Sequence, residues 1–144
     1  MKKTKRAQDL FLQGNNCAMA VFGAFCEEAG IDPEIAMKLA SPFGAGMGKT
    51  RNVCGAVTGM LMAVGAVYGY TDPAEKGETF ALSKKLLHAF KKKNGSLVCR
   101  TLLDLDENGE GEKGALPHTA ESPCYTFVSD AAALLEREMK KPEK

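Results

Sequence analysis

The chain has 144 residues and a formal net charge of +1, from 19 basic and 18 acidic side chains. This near-neutral balance argues against nucleic acid or an anionic membrane surface as the main partner. The absence of tryptophan also argues against a platform on which nucleic-acid bases stack. The length fits one domain, residues 1–144, which can bury a core without disulfide cross-links.

Helical patterns run along most of the chain, and no run of useful length alternates as a strand does. In chain order, helices are predicted at 4–12, 16–29, 33–40, 51–70, 73–93, 96–105 and 122–141. Asp-Pro pairs mark two of the starts, because Asp caps a helix and Pro suits its first position. A glycine-rich loop at 43–48 and a polar loop at 106–121 separate helices. The predicted fold class is all-α, a compact helical bundle.

The longest apolar stretch forms the predicted central helix. It carries no charge from Val53 to Tyr70, a length that just spans a bilayer, and two G-x-x-x-G spacings at 55, 59, 65 and 69. The other helices are amphipathic, and the Arg51 side of this one lacks aromatic anchors. We therefore predict no membrane span but a buried, glycine-rich helix, in the middle of the bundle or at a homodimer interface.

The N-terminal region indicates a cytoplasmic location. It has positive charge, but Gln8, Asp9 and Gln13 interrupt the stretch behind it, so no signal peptide is expected. Thiols stay reduced in the cytosol, where cysteines bind metals or catalyse more often than they cross-link. Five cysteines, an odd number, also fit poorly with a closed set of disulfides.

Four of the five cysteines follow a helix-start signal by only one to three residues. They are Cys17 after Asn16, Cys54 after Asn52, Cys99 after Ser96 and Cys124 after Ser122. Unpaired N–H groups and the positive end of the helix dipole favour a thiolate there, which is both the nucleophile and the metal ligand. We predict that these four form one redox or metal site, where the helix starts meet. Cys26, within a helix, and His118, in a loop, are left outside it.

The chemistry of four such thiols has three interpretations. They suit a [2Fe–2S] or [4Fe–4S] iron–sulfur cluster, or a tetrahedral zinc ion. Without metal, they would form two dithiol–disulfide couples, Cys17/Cys54 and Cys99/Cys124. No C-x-x-C motif is present, which weakens the thiol interpretation, and the long spacings weaken structural zinc. Since no acid–base or substrate motif stands beside them, an electron-transfer or redox protein is favoured over a self-sufficient enzyme.

A longer motif surrounds Cys54. Residues 54–59 read CGAVTG, residues 14–18 read GNNCA and residues 43–48 read FGAGMG. Together with Cys99 and Cys124, these strings resemble the C_GCAxxG_C_C family of redox-active proteins. The resemblance covers nearly the whole chain and implies that Cys17, Cys54, Cys99 and Cys124 are the defining positions.

The resemblance also carries expectations about function. It implies a bacterial or archaeal redox protein, with iron–sulfur binding among the functions it suggests. The partner would be a redox protein or a transporter-associated protein, and a zinc-binding adaptor for a transporter is the further alternative. Gly55, beside Cys54, and Gly48, in the upstream loop, are the candidate cofactor-contacting glycines. The 43–48 loop is expected to form a lid over the site.

Overall fold

The computed structural model describes residues 2–105 and 117–139. Its helices are α1 (Lys2–Leu12), α2 (Cys17–Phe25), α3 (Pro33–Ala40), α4 (Gly44–Met47), α5 (Gly55–Tyr68), α6 (Lys76–Asn94), α7 (Cys99–Leu102) and α8 (Pro123–Met139). Of these, α4 is a single turn in which Ala45 and Gly46 have left-handed rather than helical angles. Short 3₁₀ turns occur at Cys26–Ala29, Ser41–Phe43 and Pro73–Glu75. In the described ranges no strand forms, only an isolated antiparallel bridge between Val53 and Val98. The all-α prediction is confirmed.

Helices α2 and α5 form the centre of the bundle. α2 packs against α1, α3, α5 and α8, and α5 also packs against α6 and α8. Their contact is close because small residues face each other: a Cβ added at Gly59 would lie 2.8 Å from the backbone oxygen of Ala18. The central helix is therefore buried within the bundle, as predicted. Among the described helices, none has both the length and the hydropathy to cross a bilayer.

The two ends of the described chain are joined through Glu136 of α8. Its carboxylate accepts hydrogen bonds from the backbone N–H groups of Lys3 and Thr4, at 3.1 and 2.9 Å, and from the Thr4 hydroxyl. The first N–H groups of a helix have no partner within the helix. This buried carboxylate therefore caps α1 and fixes it against α8.

The predicted helix boundaries differ most from the structure in three helices. The 16–29 helix ends at Phe25 and tightens into a 3₁₀ turn, closed by Gly30 at φ +68°. The 51–70 helix starts only at Gly55, because left-handed residues occupy the segment before it. The 96–105 helix shortens to Cys99–Leu102, because Val98 is extended and pairs with Val53. Most of the predicted polar loop, 106–116, lies outside the described residues.

Candidate functional site

One small cavity brings four helix starts together. Its volume is about 20 Å³, room for roughly one water molecule. Its walls are cysteines, small residues, apolar side chains and one arginine: Cys17, Ala45, Gly46, Arg51, Cys54, Gly55, Cys99, Leu102, Leu103, Cys124 and Phe127. The four cysteines selected from the sequence thus meet at one place, and each is a free thiol.

Each cysteine owes its place to the start of a helix. Cys17 is the first residue of α2, where the side chain of Asn16 accepts a hydrogen bond from the Met19 N–H at 3.0 Å. Cys54 immediately precedes α5, and Cys99 begins α7. Cys124 is the second residue of α8. Helix starts present unpaired N–H groups, an influence that favours a thiolate and that burial of the sulfur opposes.

The antiparallel bridge places Cys54 and Cys99 side by side. Val53 pairs with Val98, and the backbone N–H groups of Cys54 and Cys99 donate across the bridge at 2.8 and 2.6 Å. Neighbouring residues of extended chain point to opposite faces, so both cysteines lie on the face away from the valines. The two residues are diagonal neighbours across the bridge, and both line the cavity.

The other two thiols influence each other. The neighbouring Cys124 thiol raises the pKa of Cys17 well above its usual value, and burial acts in the same direction. Cys17 in turn lowers the pKa of Cys124 to about 7, against the effect of burial, and Ser122 and Arg51 help to lower it. Cys124 is also the one member of the four that is only partly buried. The most accessible thiol is therefore the one that ionises near neutral pH.

Ser122 and Arg51 supply polar contacts that the cysteine pattern alone does not show. Ser122 is buried, and its hydroxyl oxygen accepts a hydrogen bond from the Cys124 backbone N–H at 3.2 Å. The Arg51 Nη1 atom lies 3.9 Å from the Cys99 sulfur. Burial raises the pKa of Cys99, and Arg51 opposes that rise. The guanidinium therefore favours negative charge on two of the four thiols.

Cys54 stays protonated in this environment. Burial raises its pKa to about 12, although the backbone N–H groups of Ala56 and Val57 act in the opposite direction. The Cys54 side chain makes no capping hydrogen bond at the start of α5. Cys54 is thus a buried neutral thiol, whereas Cys124 is the reactive one.

A match across most of the chain agrees with this geometry. The family model described as "Putative redox-active protein (C_GCAxxG_C_C)" matches residues 15–138. The chain belongs to this C_GCAxxG_C_C family. The match includes all four cysteines that line the cavity. No curated protein and no solved structure matches the chain.

The segment before Cys54 has an unusual backbone. Residues other than glycine adopt the left-handed conformation at four positions, with φ between 55° and 66°: Ala45, Met47, Lys49 and Arg51. Each such residue costs about 1–2 kcal/mol of backbone strain. Gly46 lies between the first two and lines the cavity. Strain of this kind is concentrated at functional sites, where the surrounding contacts hold it in place.

The remaining sequence-based candidates fall into two groups. Gly55 lines the cavity, but Gly48 does not. In the 43–48 segment, the glycine that lines the cavity is Gly46. Cys26 is fully buried in the core, where its thiol donates to the Gly23 carbonyl at 3.2 Å, and it does not line the cavity. His118 lies away from the cavity lining too, with Nδ1 3.0 Å from the carbonyl oxygen of Phe11. Leaving Cys26 and His118 out of the site agrees with the geometry.

The donor set of the cavity suits a thiophilic metal, but its arrangement does not match one. In the described part of the chain, no group of three or more His, Cys, Asp or Glu side chains is arranged to hold a metal ion. The cavity of about 20 Å³ has room for roughly one water, whereas a cluster contains several iron and sulfide ions. An iron–sulfur cluster would therefore fit between the four thiols only if the cavity walls moved apart.

The reactivity of Cys124 is expected to follow pH with a midpoint near its pKa of about 7. Only the thiolate reacts, so the alkylation rate falls about tenfold for each pH unit below the midpoint and levels off above it. Ionisation of Cys124 also stabilises the folded state as pH rises through 7, because its folded pKa lies below the usual 9.0. Alkylation with iodoacetamide, followed by mass spectrometry of the Cys124 peptide, measures the profile.

Two substitutions test the cause of that midpoint. Ser122→Ala and Arg51→Met are each expected to move it to higher pH, because each removes a group that stabilises the thiolate. Ser129→Ala, on α8, which begins directly after Ser122, is the matched control, since the Ser129 hydroxyl donates to the Tyr125 carbonyl and not to a thiol. A midpoint that stays near 7 in both test variants would contradict the assignment.

Proposed function

We propose that this protein is a thiol–disulfide redox protein whose working couple is Cys124 and Cys17. The placement of both residues in the lining of one small cavity, with the mutual influence of the two thiols on their pKa values, carries the proposal. Two thiols that line a cavity of this size have a short way to move to form a disulfide bond of about 2.05 Å. Membership of a family described as redox-active supports the chemistry in general, and the choice of couple and of reaction is our inference. This couple differs from those expected from the sequence, which were Cys17/Cys54 and Cys99/Cys124, because it takes one thiol from each of them.

The reaction follows thiol–disulfide exchange. The Cys124 thiolate attacks one sulfur of a substrate disulfide, the substrate S–S bond breaks, and the other substrate sulfur leaves as a thiolate. Cys17 then loses its proton to water, and its thiolate attacks the Cys124 sulfur. The mixed disulfide breaks, and the second substrate sulfur leaves. Two electrons pass from the two protein thiols to the substrate disulfide, and the reverse sequence oxidises a substrate dithiol.

The interaction between the two thiols sets the order of the two steps. While Cys124 is a thiolate, its proximity and its charge raise the pKa of Cys17, which remains protonated. Once Cys124 is in a mixed disulfide, that charge is gone, and burial is the main remaining cause of the raised pKa. Cys17 therefore becomes a better nucleophile only after Cys124 has reacted. The partner we propose is accordingly a protein or small molecule that carries a disulfide or dithiol.

Replacement of the second thiol should trap the intermediate. In Cys17→Ser, oxidised glutathione is expected to convert the protein to a mixed disulfide at Cys124 that persists, because no thiol displaces the glutathione. Intact-protein and peptide mass spectrometry detect the adduct. Cys26→Ser is the control, because Cys26 lies outside the cavity and should leave the reaction as in the parent. Loss of the adduct from Cys17→Ser at the parent rate would contradict the role of Cys17.

Convergence of four thiols favours a second candidate, ligation of an iron–sulfur cluster or a zinc ion. For a cluster, the cavity walls must move apart, since the closed cavity is about 20 Å³. One anaerobic purification separates the candidates. A brown protein with iron and acid-labile sulfide supports the cluster, and a colourless protein with one zinc supports a zinc-binding adaptor. A metal-free protein with reactive thiols supports the dithiol couple.

A further inference from the structure

The turn of residues 44–51 forms one wall of the cavity. Gly46 and Arg51 line the cavity, whereas residues 48–50 are exposed to solvent. Its first part, α4, packs against α2, α5 and α7. These are the helices whose starts carry Cys17, Cys54 and Cys99. The turn therefore separates the thiols from solvent along one side.

Opposing forces act on this turn. The four left-handed residues named above strain it, and a strained backbone relaxes when it is released. Within the turn, the Thr50 hydroxyl lies 2.9 and 2.8 Å from the carbonyl oxygens of Gly46 and Met47, which stabilises the shape of the turn. Arg100 of α7 joins the turn to the bundle, since its guanidinium donates to the Thr50 carbonyl at 3.0 Å and its backbone N–H donates to the Arg51 carbonyl at 3.1 Å. These contacts from one residue hold the strained segment against the bundle, as in segments that open locally.

We propose that residues 44–51 form a lid that opens without unfolding of the helical bundle and gives solutes access to Cys54 and Cys99. With the lid closed, these two residues are only 4% and 6% exposed. Cys124 is partly exposed without any such opening. The lid therefore withholds an inner pair of thiols while the outer thiol remains reactive. Access to the inner pair does not depend on the Cys124–Cys17 couple, so either proposal can fail without the other.

Two glycines of matched conformation provide the test. Gly48, in the lid, has φ +67°, and Gly30, at the turn that holds Cys26, has φ +68°. A Cβ would meet nothing within 4 Å at Gly30 and only an ordinary contact of 3.7 Å at Gly48. Alanine at either site therefore adds the same left-handed strain without a collision. The two variants differ only in which segment they loosen.

The measurement is the rate at which N-ethylmaleimide modifies each cysteine of the full chain, read by peptide mass spectrometry. Gly48→Ala is expected to speed modification of Cys54 and Cys99 about tenfold and to leave Cys26 unchanged. Gly30→Ala is expected to leave Cys54 and Cys99 unchanged. Lys49→Gly relieves strain in the closed lid and should slow the modification of Cys54 and Cys99 severalfold. This variant provides the test if Gly48→Ala does not fold.

Either of two outcomes in these modification rates would overturn the proposed lid. If Cys54 and Cys99 react at the rate of the fully buried Cys26 in the parent, and all three change together in the variants, access occurs only by global unfolding. If Gly48→Ala and Lys49→Gly each leave Cys54 and Cys99 at the parent rate, the turn does not control access.

Discussion

Cys124→Ser is expected to lower the rate of reaction with a disulfide reagent at pH 7 by about a hundredfold. In the parent, a pKa of about 7 leaves half of Cys124 as thiolate at that pH. The pKa values of the other three site thiols are raised, that of Cys54 to about 12, and all three are buried. None of them can therefore replace the reactive thiolate. Stopped-flow reaction with an aromatic disulfide that releases a coloured thiol measures the rate.

Cys54→Ser serves as the matched control for that experiment. It removes a thiol from the same cavity, but one that is buried and neutral. The fast phase of the reaction is expected to remain near its parent rate in this variant. A Cys124→Ser protein that retains the fast phase would mean that another cysteine is the nucleophile.

Gly59→Ala is expected to destabilise the fold by roughly 2–3 kcal/mol. A methyl group at this position would lie 2.8 Å from the Ala18 backbone oxygen and 3.1 Å from the Val21 Cβ, so α2 and α5 must move apart. These two helices also place Cys17 and Cys54 at the cavity. The loss of stability should therefore be accompanied by a higher pH midpoint for Cys124. Urea denaturation measures the change in the free energy of unfolding, from the shift in the urea concentration at the transition midpoint when the m-value is unchanged.

Gly65→Ala on the same helix provides the opposite expectation. Nothing lies within 4 Å of a Cβ added there. Alanine in an exposed helix interior stabilises by about 0.5–1 kcal/mol relative to glycine. The G-x-x-x-G pattern thus has different roles at its two ends: the first glycines allow α2 to approach, and Gly65 does not. If Gly59→Ala and Gly65→Ala changed the free energy of unfolding equally, the close approach of α2 to α5 at Gly59 would not explain the effect.

The position of the site could be predicted because its signals are local. Asn16 caps α2 as expected, and Ser122 stands directly before α8. Two other signals were displaced: Cys54 itself occupies the capping position of α5, and Val98 that of α7. A shift of one or two residues still leaves a cysteine at the start of each helix. The convergence of the four thiols therefore survives errors in helix boundaries.

The pairing of the thiols could not be predicted in the same way. Cys17 lies near Cys124 because α2 packs against α8, and the two residues are far apart in the chain. Sequence spacing suggested the nearer pairs instead. Arg51 was missed for a different reason: arginine rarely adopts a left-handed backbone, so nothing in the sequence indicates φ +62° or a side chain turned toward the sulfurs.

Disulfide mapping of the parent chain shows whether Cys17 and Cys124 form the redox couple. The reduced protein is oxidised with a small excess of oxidised glutathione at pH 7, alkylated, and digested under non-reducing conditions for mass spectrometry. We predict that the first disulfide to accumulate joins Cys17 to Cys124, while Cys26 remains alkylatable only after unfolding. A first disulfide that joins any other pair, or a protein in which Cys17 and Cys124 both stay reduced, would contradict it.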